Sequence, residues 1–376
     1  MVEKMDIQKI DKNFNLTFEV PDDVEWFSIR EAPFQTYGIF YSEEEGLYRR
    51  LPKDVADATN EGVSCLSKHT AGGRVRFETD SPYIVVQAKE VFETPFSHMT
   101  ICGRYGFSLF TDNRFSGTLM PSYDDLVKAD PRFGGNEEIV VGGVKYPLIE
   151  SSLPYLATLF FPLYIPVKEV YIGLKKGSVL CEAPSYKHNI PVLFYGSSIT
   201  QGGCASKPGD DYINRLSRSL DTDFINLGFS GSAKAEPVMA EYLAQQNPSI
   251  FVLDYDHNAP TAEYLRQTHY PLYETVRKAH PETPIVFATM PTIEGYEDRP
   301  WYRERRKEIL ESFERMKATG DKNVYLVDFY GCFGTMENGE CGTVDDCHPN
   351  SLGLLRMAER MLPLLDKLLN KLVENP

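Results

Sequence analysis

The hydrophobic pattern of this chain changes character once, near residue 185, and that change limits its fold more than any single motif. Up to about residue 180 the apolar residues come in short alternating or aromatic runs: Asn15-Leu16-Thr17-Phe18-Glu19-Val20, Val75-Arg76-Phe77-Glu78-Thr79, Tyr83-Ile84-Val85-Val86-Gln87-Ala88 and Val167-Lys168-Glu169-Val170-Tyr171-Ile172-Gly173-Leu174. Turn clusters such as Pro21-Asp22-Asp23, Thr70-Ala71-Gly72-Gly73 and Gly134-Gly135-Asn136 separate them. A period near two, broken by turn residues, predicts antiparallel strands stacked as a β-sandwich or jelly roll. The polar, proline-bearing stretch Glu182 to Ile190 marks the boundary, giving an all-β domain over residues 1–185 and a second domain over 186–376.

Beyond that boundary, four-residue apolar runs alternate with longer amphipathic ones. Candidate strands are Val192 to Tyr195, Phe224 to Leu227, Ile250 to Leu253, Ile285 to Ala288 and Val324 to Val327. Candidate helices fill the gaps: Tyr212 to Leu220, Glu236 to Ala244, Pro271 to Ala279, Tyr302 to Lys317 and Ser351 to Leu372. This alternation predicts a parallel sheet covered by helices on both faces. In the last helix Leu354, Leu355, Ala358, Met361, Leu362, Leu365, Leu368 and Leu369 make one broad apolar face, read as core.

With 39 Lys+Arg against 54 Asp+Glu, the net charge of -15 opposes binding to a nucleic-acid backbone. No apolar run reaches the length of a membrane span, and the first residues carry no signal-peptide pattern, so no membrane partner and a cytoplasmic location are expected. The seven cysteines are scattered without a C-x-x-C pair, which fits free thiols in a reducing compartment, although Cys332 and Cys341 could bridge a short loop in a secreted protein.

An open parallel sheet binds its ligands outside the C-terminal ends of its strands. There the first strand runs into Gly196-Ser197-Ser198-Ile199-Thr200-Gln201-Gly202, and Asp345-Asp346-Cys347-His348 follows the fifth. A serine on a sharp strand exit needs a base within hydrogen-bond reach and a carboxylate to hold that base in one tautomer. Ser198, His348 and Asp345 offer that set, with Asp346 as the alternative orienting group. Cys347 beside the base is read as a filler rather than a nucleophile, and His257 as a loop histidine rather than a metal ligand. Donors for a developing oxyanion can come from the Ser198 N–H, from the glycine-rich exit Asn226 to Ser232, and from the side-chain amide of Asn258.

These segments resemble those of SGNH (GDSL-type) hydrolases. Gly196-Ser197-Ser198-Ile199 is similar to the first family block, with serine at Ser197 where aspartate is usual; Gly231 matches the second-block glycine; Asn258 matches the third-block asparagine, although Asp256-His257-Asn258-Ala259 departs from Gly-x-Asn-Asp; and Asp345-x-x-His348 matches the last. Upstream, Glu45-Gly46-Leu47-Tyr48-Arg49-Arg50-Leu51-Pro52 and Phe161 to Leu174 resemble the β-rich domain, named for a G-x-D-L-Y motif, that precedes some bacterial members, with Gly46 at the aspartate position.

The resemblance implies a flavodoxin-like α/β/α hydrolase domain behind a β-domain. It further implies a serine esterase with an oxyanion hole from Ser198, Gly231 and Asn258, no cofactor, and a small acyl ester substrate such as an acetylated sugar. Arg299 and Trp301, after the fourth strand, are candidates for contact with a sugar ring. Alternatives are a carbohydrate-binding protein with an inactive hydrolase domain, and a thioesterase or lysophospholipase. The α/β-hydrolase fold fits less well, because Thr200 stands where its Gly-x-Ser-x-Gly motif closes on glycine.

Overall fold

A computed structural model describes residues 19–147, 154–295, 299–335 and 341–374. The chain divides into two compact units: 1–50, 68–185 and 207–209 make the first, and 51–67, 186–206 and 210–376 the second.

The first unit is built from two antiparallel sheets. One has four strands, in the order Val24–Ser28, Val167–Lys175, Ile84–Val91, Glu138–Lys145. The other runs Leu180–Cys181, Arg74–Thr79, Tyr155–Phe160, Phe107–Thr111, Arg114–Leu119, with Gln35–Tyr37 also pairing to Arg74–Thr79. Alternate residues of both sheets, among them Val75, Phe77, Ile84, Val86, Leu109, Leu159 and Ile172, share one buried core, as a sandwich requires. Of the predicted opening strand, residues 15–18 lie outside the described residues, and Glu19 and Val20 are not in a strand.

The second unit carries five parallel strands: β1 (His188–Gly196), β2 (Thr222–Gly228), β3 (Ile250–Asp254), β4 (Ile285–Ala288) and β5 (Val324–Val327). Their order, β2-β1-β3-β4-β5, is that of flavodoxin-like sheets, in which the chain reverses direction beside the first strand. Every residue of β3 and β4 is buried, which explains the unbroken apolar runs. The helices are α1 (Lys53–Thr59), α2 (Glu61–Leu66), α3 (Ser198–Gln201), α4 (Tyr212–Leu220), α5 (Pro237–Gln245), α6 (Ala262–Ala279), α7 (Pro300–Ala318) and α8 (Ser351–Glu374). The apolar face of α8 is buried at Leu354, Ala358, Met361, Leu365, Leu368 and Leu369, with Leu355 and Leu362 at its margin.

Two features depart from the sequence reading. A single boundary near 185 leaves out α1 and α2, which come from the β-rich half of the sequence yet fold with the second unit. Leu51, Ala56 and Val63 join the core of the second unit, and the Asn60 amide donates to Ser232 O at 3.0 Å and to Glu236 Oε1 at 2.6 Å. The helix predicted from Pro271 begins instead at Ala262, because the Thr261 side chain accepts from Tyr264 N and starts it there; Pro271 lies inside the helix.

Candidate active site

The turn that carries Ser198 is clamped where β1 ends. Gly196 pairs with Gly228 on one side and Asp254 on the other, and a Cβ at this position would meet Thr200 Oγ1 at 2.1 Å and Asp254 O at 2.2 Å. Ser197, where the family motif has aspartate, is the N-cap of α3: its N–H donates to Asp254 O (3.1 Å) and its Oγ accepts from Ile199 N (3.2 Å). The turn is further tied to β2, since Asn226 Nδ2 donates to Thr200 O (2.8 Å) and Gln201 Oε1 accepts from Ser230 N (3.1 Å). Ser198 is thereby fixed as the first residue of α3, with 7% of its surface exposed.

The Ser198 hydroxyl lies 3.0 Å from His348 Nε2, and His348 Nδ1 lies 2.8 Å from Asp345 Oδ2. Asp345 also gathers the local backbone, accepting from His348 N at 2.7 Å and Cys347 N at 3.2 Å through Oδ1. Burial alone would raise the Asp345 pKa, but these hydrogen bonds and the imidazole hold it below the usual carboxylate value. An ionised Asp345 makes Nδ1 the donor, which leaves Nε2 as the acceptor for the serine proton. Asp346, the alternative orienter, has φ +67° and offers its backbone carbonyl to Tyr302 OH at 3.4 Å. Asn350, rather than either aspartate, caps α8, its Oδ1 accepting from Leu352 N (3.0 Å) and Gly353 N (3.1 Å).

Gly231 and Asn258 come together as one hydrogen-bonded pair, with Gly231 N donating to Asn258 Oδ1 at 3.1 Å and Asn258 Nδ2 donating to Phe229 O at 2.9 Å. The Gly231 N–H is therefore directed at Asn258, while the second hydrogen of the Asn258 amide remains for another acceptor.

Trp301 lies beside the loop that carries His348. Its ring is 5.9 Å from that of His257, whose Nδ1 is 4.0 Å from Cys347 Sγ, and the Arg305 guanidinium stacks on it at 4.2 Å. Arg299 occupies the N-cap position of α7, its carbonyl accepting from Tyr302 N and Arg303 N. Nearby, Met290, Thr292, Tyr302, Arg303, Arg306 and Tyr330 line a cavity of about 340 Å³.

Burial, with smaller contributions from His348 and Arg305, pushes His257 down to about 3, so its imidazole is neutral. Burial pushes the Cys347 thiol up to about 11 and that of Cys204 to about 12, and neither supplies a thiolate at neutral pH. None of the seven cysteines is in a disulfide, Cys332 and Cys341 included. Cys204, which sequence reading overlooked, places its Sγ within 4.8 Å of a His348 ring nitrogen. A soft cation bound by these two groups would compete with Ser198 or Asp345 for the imidazole.

The geometry can be set beside known proteins. The GDSL-like lipase/acylhydrolase family model matches residues 189–366, and the model for the N-terminus of SGNH-hydrolase-type esterases (GxDLY) matches 24–180. No curated relative matches the chain. A crystal structure from Bacteroides ovatus described as a GDSL-like lipase is 28% identical, covers 92% of this chain and 98% of its own, and superposes with a TM-score of 0.78. The salicylyl-acyltransferase of a tetracycline biosynthetic pathway is 19% identical over 93% of this chain and 98% of its own (TM-score 0.71). A family two carbohydrate esterase from Clostridium thermocellum, solved with cellohexaose, is 16% identical over 90% of this chain and 99% of its own (TM-score 0.59). The chain belongs to the SGNH (GDSL-like) lipase/acylhydrolase family, as a carboxylic ester hydrolase with an N-terminal domain of the GxDLY type.

Proposed function

We propose that the protein is a serine esterase that removes small acyl groups, acetyl above all, from a carbohydrate. The observation that carries the mechanism is the continuous hydrogen-bonded line Asp345–His348–Ser198, at 2.8 and 3.0 Å. Ser198 Oγ attacks the ester carbonyl carbon while His348 Nε2 takes its proton. Collapse of the tetrahedral intermediate breaks the bond to the leaving alcohol, which receives that proton from His348. Water, deprotonated by the same nitrogen, then attacks the acyl-serine and releases the acid. Charge on the carbonyl oxygen is met by the Asn258 amide and the Ser198 N–H, with Gly231 holding Asn258 in place and donating once its hydrogen bond to the amide is released.

The sugar and acetyl specificity is supported by the whole-chain likeness to the cellohexaose-bound carbohydrate esterase and to an acetyl xylan esterase from Butyrivibrio proteoclasticus. Support also comes from the half-exposed Trp301 beside the base loop. Incubating the full chain with acetylated xylo- and cello-oligosaccharides and measuring free acetate tests it. Acetate release is expected. Turnover of p-nitrophenyl acetate with no acetate from any acetylated glycan would contradict the sugar assignment.

A further inference from the structure

Two carboxylates beneath this site take no part in the proposed chemistry. Asp254 closes β3 and Asp256 lies two residues on, in the 3-10 turn Asp256–Asn258; they are 1% and 0% exposed. Asp254 Oδ2 accepts from Thr200 Oγ1 in the nucleophile turn (3.3 Å) and from Tyr212 OH in α4 (3.4 Å), and Asp254 O holds Ser197 N. Asp256 Oδ2 accepts from Met290 N (2.8 Å) beyond β4, and Asp256 O accepts from Ala259 N (3.3 Å), closing the turn around Asn258. The Oδ1 atom of each is buried and has no hydrogen-bond partner among the described residues.

Two bare carboxylate oxygens in so dry a place strongly disfavour full ionisation of both groups. Burial pushes both carboxyls well above the usual carboxylate range, and for Asp254 the charge of Asp256 adds to the effect. The groups facing them are few. Tyr212 from α4 and Cys332 after β5 keep their protons, His257 is neutral, and Arg305 from α7 supplies positive charge beside Asp256.

We propose that Asp254 and Asp256, buried and not both ionised at neutral pH, act as positioning residues, the first bracing the turn that carries Ser198 and the second the turn that carries Asn258. This rests on the reading of Ser198 as nucleophile. With at least one of the two protonated, both turns are braced from one buried floor. With both ionised, the Arg305 cation beside Asp256 leaves a charge unbalanced, and repulsion between the carboxylates pushes the two turns apart so that the reacting groups lose alignment.

The test is a pH profile of kcat and KM on p-nitrophenyl acetate with the full chain, from about pH 5.5 to about pH 9.5. The parent kcat is expected to fall on the alkaline side of this range with KM steady, as the last carboxyl proton of the pair is lost. Asp254→Asn, a neutral isostere, should abolish that alkaline fall. Asp254→Ala should lower kcat by about 10²-fold across the range with KM little changed, as a misplaced nucleophile does. Should the alanine variant not fold, Asp254→Asn and Asp256→Asn decide the matter by the shape of their profiles. An alkaline fall unchanged in both asparagine variants, or parent kcat in folded Asp254→Ala, overturns the proposal. An active Ser198→Ala overturns instead the reading it rests on.

Discussion

The Ser198 hydroxyl and the His348 ring meet at 3.0 Å although 150 residues separate them along the chain. What joins them is sheet topology: β1 sits inside the sheet, between β2 and β3, and the last loop before α8 returns to the rim where β1 ends. Asp345, by contrast, reaches His348 through three residues of local chain. The pairs differ in origin, and substitutions separate them.

Asp345→Asn keeps the shape of the loop but offers the wrong hydrogen-bond partner to Nδ1, favouring the unproductive tautomer. A loss on the order of 10³–10⁴ in kcat with KM little changed is expected from steady-state kinetics. Asp346→Asn, whose carboxylate takes no part in the line, should remain close to the parent.

Asn258→Ala removes both the anchor for Gly231 and the candidate amide donor. It should lower kcat by about 10²–10³-fold. A raised KM at unchanged kcat would mean instead that Asn258 binds the ground state as well as it binds the transition state.

Two glycines of the site should respond differently to alanine. In Gly196→Ala the new Cβ meets Thr200 Oγ1 at 2.1 Å and Asp254 O at 2.2 Å, so the nucleophile turn has to shift, and activity and thermal stability should both collapse. Gly231 has φ +66° and nothing within 4 Å of its would-be Cβ, so Gly231→Ala should cost only about 1 kcal/mol of backbone strain in a denaturant titration.

In the first unit, Glu90 is fully buried in the sandwich core with neither carboxylate oxygen hydrogen-bonded among the described residues, and burial raises its pKa well above the ordinary 4.5. The folded chain therefore keeps a proton that the unfolded chain releases, and stability falls as pH rises from 4.5 toward the folded-state value. Glu90→Leu should raise the melting temperature, by more at about pH 8 than at about pH 5. A gain independent of pH would mean that the carboxyl is ionised in the fold.

Much of this was legible in the sequence because it is local or periodic. The apolar runs of β4 and β5 end at Ala288 and Val327 in both readings, and the Asp345-to-His348 spacing closes a ring of hydrogen bonds on itself. What escaped was set by distant partners. Leu51 to Leu66 carries no mark of joining a core whose other members begin after residue 190; the burial of Leu51, Ala56 and Val63 in it and the Asn60 contacts with Ser232 and Glu236 reveal it. Pro271 looked like a helix start until the Thr261 cap placed the start upstream. The roles of Asp254 and Asp256 depend on burial beneath two turns, which no one-dimensional spacing shows.

The most direct test of the central claim is intact-mass analysis after treatment with a fluorophosphonate, followed by peptide mapping. A single adduct on Ser198, absent from Ser198→Ala and greatly slowed in a His348→Ala variant, is the predicted result. Labelling at another residue, or labelling of Ser198→Ala at the parent rate, would contradict it.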